Sequence, residues 1–116
     1  MTNKEDFIAL CGLDDLADAA IGLGHLPDGR RVAVYLVDGD AYATDDGCTH
    51  GNSSLAEDGC LEGYTVECGM HLGKFDVRTG EVAGPPCTKA LRTYPVVIRD
   101  GQVMLSAAAL AGEIKT

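Results

Sequence analysis

Valine, isoleucine, leucine and tyrosine recur in short runs along this chain, and the runs are divided by turn signals: Pro27-Asp28-Gly29, Asp38-Gly39-Asp40, Asp58-Gly59, Thr79-Gly80 and Asp100-Gly101. Glycine and aspartate accept the backbone angles of tight turns, whereas β-branched and aromatic side chains suit a pleated surface. The rhythm therefore predicts an all-β domain. Strands are expected near Phe7 to Cys11, Gly22 to Leu26, Arg31 to Val37, Ala41 to Thr44, Leu61 to Val66, Lys74 to Val77, Leu91 to Arg99 and Gln102 to Ser106. Asp100-Gly101 has the composition of a two-residue hairpin turn.

One segment departs from this rhythm. Leu13, Leu16, Ala17, Ala20 and Ile21 stand at helical spacing, but Gly12 and Gly22 bound the segment tightly, so a turn or a single helical turn is expected there. The Ala-rich end, Ala107 to Thr116, is expected to fray or to form a weak helix.

The chain has 116 residues, one domain's worth, enough to bury roughly two-thirds of its unfolded surface. The apolar run Phe7 to Cys11 is too short for a signal-peptide core or a membrane span, so a cytoplasmic protein is expected. Nine Lys and Arg against 18 Asp and Glu give a net charge of −9, which repels nucleic acid and anionic membrane and favours partners with a basic docking surface. Five cysteines without secretory context argue for thiols and ligands over a disulfide framework.

Two short clusters carry the candidate chemistry, Cys48-Thr49-His50 and Cys68-Gly69-Met70-His71, separated by the 17 residues Gly51 to Glu67. Thiolate is a soft donor suited to ferric iron or zinc, and neutral imidazole suits the more reducible iron of a mixed pair. Two of each suit either a zinc ion or a [2Fe–2S] centre. Cys11, Cys60 and Cys87 are expected to be small buried or half-buried thiols, and His25 a structural or surface residue. Asp45, Asp46, Glu57, Asp58 and Glu62, near the motifs in sequence, are expected to be solvated. No Ser-His-Asp set is evident and two of the three histidines are candidate ligands, so an enzyme in its own right is not expected.

Cys48-Thr49-His50-Gly51, Cys68-x-x-His71, Phe75-Asp76-x-x-Thr79-Gly80 and Gly84-Pro85-Pro86 together resemble the Rieske-type [2Fe–2S] ferredoxins of bacterial aromatic-ring-hydroxylating dioxygenase systems. The resemblance spans about Phe7 to Leu105. It implies a Rieske fold, an antiparallel β-sandwich over residues 1–116 with a small cluster-binding lobe at about 45–86. By matching position, Cys48 and Cys68 would bind one iron of a [2Fe–2S] cluster and His50 and His71 the other. Gly51, Gly69 and Gly73 would let backbone pass close to the sulfides, and Pro85-Pro86 would form a covering loop. The family's function implies a carrier of single electrons from a flavoprotein NAD(P)H ferredoxin reductase to a terminal Rieske non-haem iron oxygenase in aromatic hydrocarbon catabolism. A Rieske small subunit of another oxidoreductase such as nitrite reductase, and a structural zinc module, are the alternatives.

High-potential members of the family carry an extra Cys in each motif and hydroxyl side chains that donate to the sulfurs. Here those positions hold Ser53 and Met70, then Gly73 and Phe75. Fewer hydrogen bonds to sulfur leave more charge uncompensated on reduction, which implies a low-potential centre.

Overall fold

A computed structural model of the chain describes residues 7–47, 54–69, 73–84 and 90–106. Three antiparallel sheets form. The first has the order β1 (Phe7–Gly12), β11 (Gln102–Ser106), β10 (Val96–Arg99). The second has the order β2 (Gly22–His25), β3 (Arg31–Val37), β4 (Asp40–Asp45), β9 (Thr93–Tyr94). The third, smaller in span, runs β5 (Cys60–Glu62), β6 (Thr65–Glu67), β7 (Lys74–Asp76), β8 (Val82–Gly84), with the short helix α1 (Leu55–Asp58) before it.

The continuous apolar run of β3 has a physical reason. Val32, Ala33, Val34 and Tyr35 are all fully buried, because the second sheet is a shared wall with a core on each face. Val32 and Val34 pack with Leu10, Val103 and Leu105. Ala33 and Tyr35, on the alternate face, pack with Leu55, Val66, Phe75 and Val77. A strand covered on both sides loses the polar alternation of a half-exposed one.

Two of the predicted Asp-Gly turns form as two-residue hairpin turns. Asp38 and Gly39 take φ of 53° and 85° between the paired residues Val37 and Asp40, and Asp100 and Gly101 take 51° and 76° between Arg99 and Gln102. Positive φ at both central positions matches the turn's twist to that of the strands.

Three expectations change. The segment after β1 is a 3₁₀ helix of seven residues, Leu13–Ala19, longer than a single turn; Gly12 N–H donates to Asp15 Oδ2 at 3.0 Å across its start, and Leu16 anchors it in the core. Leu61 to Val66 is two strands, split where Gly63 adopts φ of 59°. Leu91 to Arg99 is also two, and Pro95, which has no N–H for a ladder, marks the point where the chain passes from the second sheet to the first. Strand β8 and helix α1 were not expected. Ala107 to Thr116 lies outside the described residues.

Sheets one and two close on each other where Gly24 meets β1. A Cβ at Gly24 would stand 2.7 Å from Leu10 Cβ and 2.9 Å from Leu10 Cα, and the main chain of β1 cannot yield as a flexible side chain would. Gly24→Val is therefore expected to cost about 1–3 kcal/mol or more by overpacking. Gly12→Ala, whose Cβ would meet nothing closer than 3.6 Å, should be near neutral. Urea unfolding midpoints check this; equal midpoints for both variants would show that β1 moves aside freely.

Candidate metal centre

The first motif leaves the end of β4. Asp46 and Gly47 follow the strand, and Gly47 pairs with Ser54 in an antiparallel bridge, so the chain departs and returns through one narrow mouth. Leu55 N–H donates to the Asp46 carbonyl at 2.8 Å, and Asp46 N–H donates to the Arg31 carbonyl at 3.1 Å. Ser54 caps the returning helix, its Oγ accepting from Glu57 N–H at 3.1 Å.

Charged side chains reinforce that mouth. Asp46 Oδ1 accepts from Ala56 N–H at 2.7 Å, and its Oδ2 faces Arg31 Nε at 3.4 Å. Arg31 Nη2 reaches on to Glu57 Oε2 at 2.9 Å and to Ser54 Oγ at 3.3 Å. Asp46 is only 3% exposed, which corrects the expectation that it would be solvated. No local signal marks it, because the helix N–H groups it accepts from lie nine and ten residues further along the chain. Asp45 is also engaged, by the Tyr94 hydroxyl, which also lies near Arg30.

The second motif follows β6. Cys68 is fully buried, two residues beyond buried Val66 on the same side of the chain, and shares the lobe core with Leu55, Phe75 and Val77. Its N–H donates to the Gly73 carbonyl at 2.7 Å, joining the described residues on either side of Met70 to Leu72. Lys74 then pairs with Gly84, so the end of β8 stands beside the start of β7. The helix that follows the first motif meets the second: a Cβ on Gly69 would lie 2.0 Å from the Asp58 carbonyl oxygen at the end of α1. The absence of a side chain lets the helix that ends the first loop pack against the start of the second.

Of the four candidate ligands, Cys68 is thus described, and Cys48, His50 and His71 lie outside the described residues, as do Thr49, Gly51, Ser53, Met70, Leu72, Pro85, Pro86 and Cys87. Gly73 is buried, and Phe75 has its ring wholly in the lobe core, so neither position carries a hydroxyl. Cys11 is half-buried, as expected; desolvation, with Asp15 adding, pushes its thiol up to about 11, which keeps it protonated and inert. Cys60 corrects the expectation for spare thiols, being exposed on the edge strand β5. His25 is exposed at the end of β2.

A sulfur removed from water in an apolar core, with the end of α1 packed against the glycine that follows it, is a fitting donor for a soft metal centre. The family of Rieske [2Fe-2S] domains matches residues 7–95. The chain belongs to the Rieske family.

This Rieske chain is 46% identical over 104 residues to the ferredoxin component of the p-cumate 2,3-dioxygenase system of Pseudomonas putida, covering 90% of this chain and 88% of that protein. In structure it is similar to a ferredoxin of Sphingomonas yanoikuyae B1, with TM-score 0.80 and 37% identity over 87% of this chain and 98% of that one. A chain in the complex of reduced oxygenase and oxidized ferredoxin of carbazole 1,9a-dioxygenase matches with TM-score 0.78 and 36% identity, over 90% and 94% of the two chains. Likeness to a putative nitrite reductase small subunit is more distant, at 25% identity. The Rieske cofactor is a [2Fe–2S] cluster, which replaces the zinc alternative, and such ferredoxins carry electrons instead of catalysing a reaction. Among the described residues no helix is long and apolar enough to cross a membrane.

Proposed function

We propose that Cys48 and Cys68 hold one iron of the cluster and His50 and His71 the other, and that the protein passes single electrons from a flavoprotein NAD(P)H reductase to a terminal ring-hydroxylating oxygenase. The observation that carries this reading is buried Cys68, with Gly69 beside it packed against α1, the helix that follows the first motif. When bound, the cluster supplies reversible one-electron storage. The chain's residues supply the rest: Cys68 places its sulfur in a dry site, the hydrogen bond from Cys68 to Gly73 joins the residues on either side of Met70 to Leu72, and the lobe core holds the loop roots still.

Gly73 and the buried ring of Phe75 offer no hydroxyl, which supports a potential near the bottom of the Rieske range, about −150 mV. A low-potential carrier suits delivery from flavin to oxygenase. The similar chain in a complex of oxygenase and ferredoxin supports that partner. The acidic chain suits basic docking surfaces and neither nucleic acid nor membrane, and we place it in the cytoplasm as one domain over residues 1–116 with its lobe at about 45–86.

Purified protein is expected to be red-brown, with about two irons and two acid-labile sulfides per chain and a rhombic paramagnetic signal after dithionite. Mixed with reductase and oxygenase, it should make product formation depend on its presence. Colourless protein holding one zinc would sink the proposal; a loaded cluster that no oxygenase accepts from would sink the partner assignment.

A further inference from the structure

Asp46 is the one buried carboxylate among the described side chains, and burial of an acid is costly unless its oxygens are engaged. All its polar groups are engaged at one place. The carbonyl and Oδ1 accept from Leu55 and Ala56 on the returning helix, while the N–H and Oδ2 meet Arg31 on β3. These contacts join the strand that enters the first motif to the helix that leaves it. Arg31 adds a second strap, reaching across to Glu57 and Ser54.

We propose that Asp46 is a positioning residue for the metal centre, locking the mouth of the Cys48 to His50 loop with Arg31 and holding a fixed negative charge two residues from Cys48. This rests on the ligand reading above. Two effects follow from the one side chain. The clamp resists opening of the loop, which slows loss of the cluster. Asp46 is two residues from Cys48 in the chain, at most about 7 Å of backbone, and its carboxylate is buried, so its charge disfavours the added electron. Arg31 opposes that second effect while serving the first.

The opposite signs make the test. Cluster-loaded Asp46→Asn, Asp46→Ala and Arg31→Gln are compared with wild type and with Asp28→Asn, whose carboxylate pairs with Arg30 on the surface. The readouts are bleaching in chelator, the paramagnetic spectrum, and the ratio of reduced to oxidised protein at a fixed solution potential. Asp46→Asn keeps an acceptor for Ala56 N–H but turns an amide NH2 toward Arg31, so it should bleach faster than wild type and more slowly than Asp46→Ala, while its reduced-to-oxidised ratio rises about threefold to tenfold. Arg31→Gln should bleach faster and its ratio should fall. Asp46→Ala should bleach about tenfold faster with a raised ratio and a shifted spectrum; if it fails to fold, the other two variants decide. Asp28→Asn should move nothing.

General damage to the fold would not drive the two partners' ratios apart. Ratios that move together in Asp46→Asn and Arg31→Gln, or wild-type bleaching and ratio in all three variants, overturn the clamp alone. Wild-type protein that takes up no cluster overturns the ligand reading and this inference with it.

Discussion

Cys48→Ser, Cys68→Ser, His50→Ala and His71→Ala are each expected to yield protein without the red-brown colour, iron falling from about two atoms per chain to near none. Serine keeps the shape of cysteine but not the soft thiolate, and alanine removes the imidazole donor outright, so each variant leaves an iron short of a ligand. Cys68 is also a core residue with no exposed surface, and its serine variant places a hydroxyl among Leu55, Val66, Phe75 and Val77. That variant should lose about 1–3 kcal/mol beyond the effect of cluster loss. The lobe nonetheless has an apolar core of its own, so loss of the cluster should loosen the loops and leave the strands of the third sheet paired.

Cys11→Ser, Cys60→Ser and Cys87→Ser are the contrast. Cys11 packs beside Gly22 against the other core, that of Leu10, Val32 and Val34, and Cys60 is exposed on β5. All three should keep full iron and an unchanged visible spectrum. Visible absorption, iron content and far-ultraviolet dichroism on the whole set check the prediction, and a colourless Cys11 or Cys60 variant would require a different ligand set.

Gly69→Ala is expected to be nearly as damaging, although alanine changes no ligand. The added methyl would sit 2.0 Å from the Asp58 carbonyl oxygen and 3.0 Å from its carbon. Both are main-chain atoms of a helix held at its other end by Ser54 and Asp46, so relief requires moving α1 or moving Cys68. Either motion separates the roots of the two motifs. A stability loss of about 1–3 kcal/mol or more is expected from the collision, with iron content well below that of wild type. Urea midpoints and iron per chain measure the two parts separately. Full iron loading at wild-type stability would mean that the roots of the motifs need not touch.

Much of the architecture was legible before any coordinates. The strands Arg31–Val37 and Gln102–Ser106 could be read because local composition and tertiary role agree there: β-branched residues in runs, bounded by Asp-Gly turns whose positive φ is a local steric property. The candidate ligands were legible for a similar reason, since a soft-donor site needs particular side chains at short spacing and few other duties call for Cys and His so arranged. The length of the 3₁₀ helix is not legible locally, because its helical spacing competes with the flanking glycines Gly12 and Gly22. The packing of Leu16 against the first core decided in favour of length.

What the chain order could not reveal lies in contacts between distant segments. Nothing local tells Asp46 from Asp45, yet one is buried beneath Arg31 and the α1 amides while the other is half-exposed under Tyr94. Nothing local requires Gly69 to lack a side chain; the Asp58 carbonyl, which only the fold brings there, does. Side-chain chemistry, turn propensity and strand periodicity are properties of neighbouring residues, so the sequence by itself determined the strands, the tight turns and the candidate donor set. Burial, the sharing of β3 between two cores and the clamping of the first motif's mouth arise from packing across the chain, where a carboxylate's solvent or a glycine's free space depends on what else arrives. Those were decided by the tertiary structure alone.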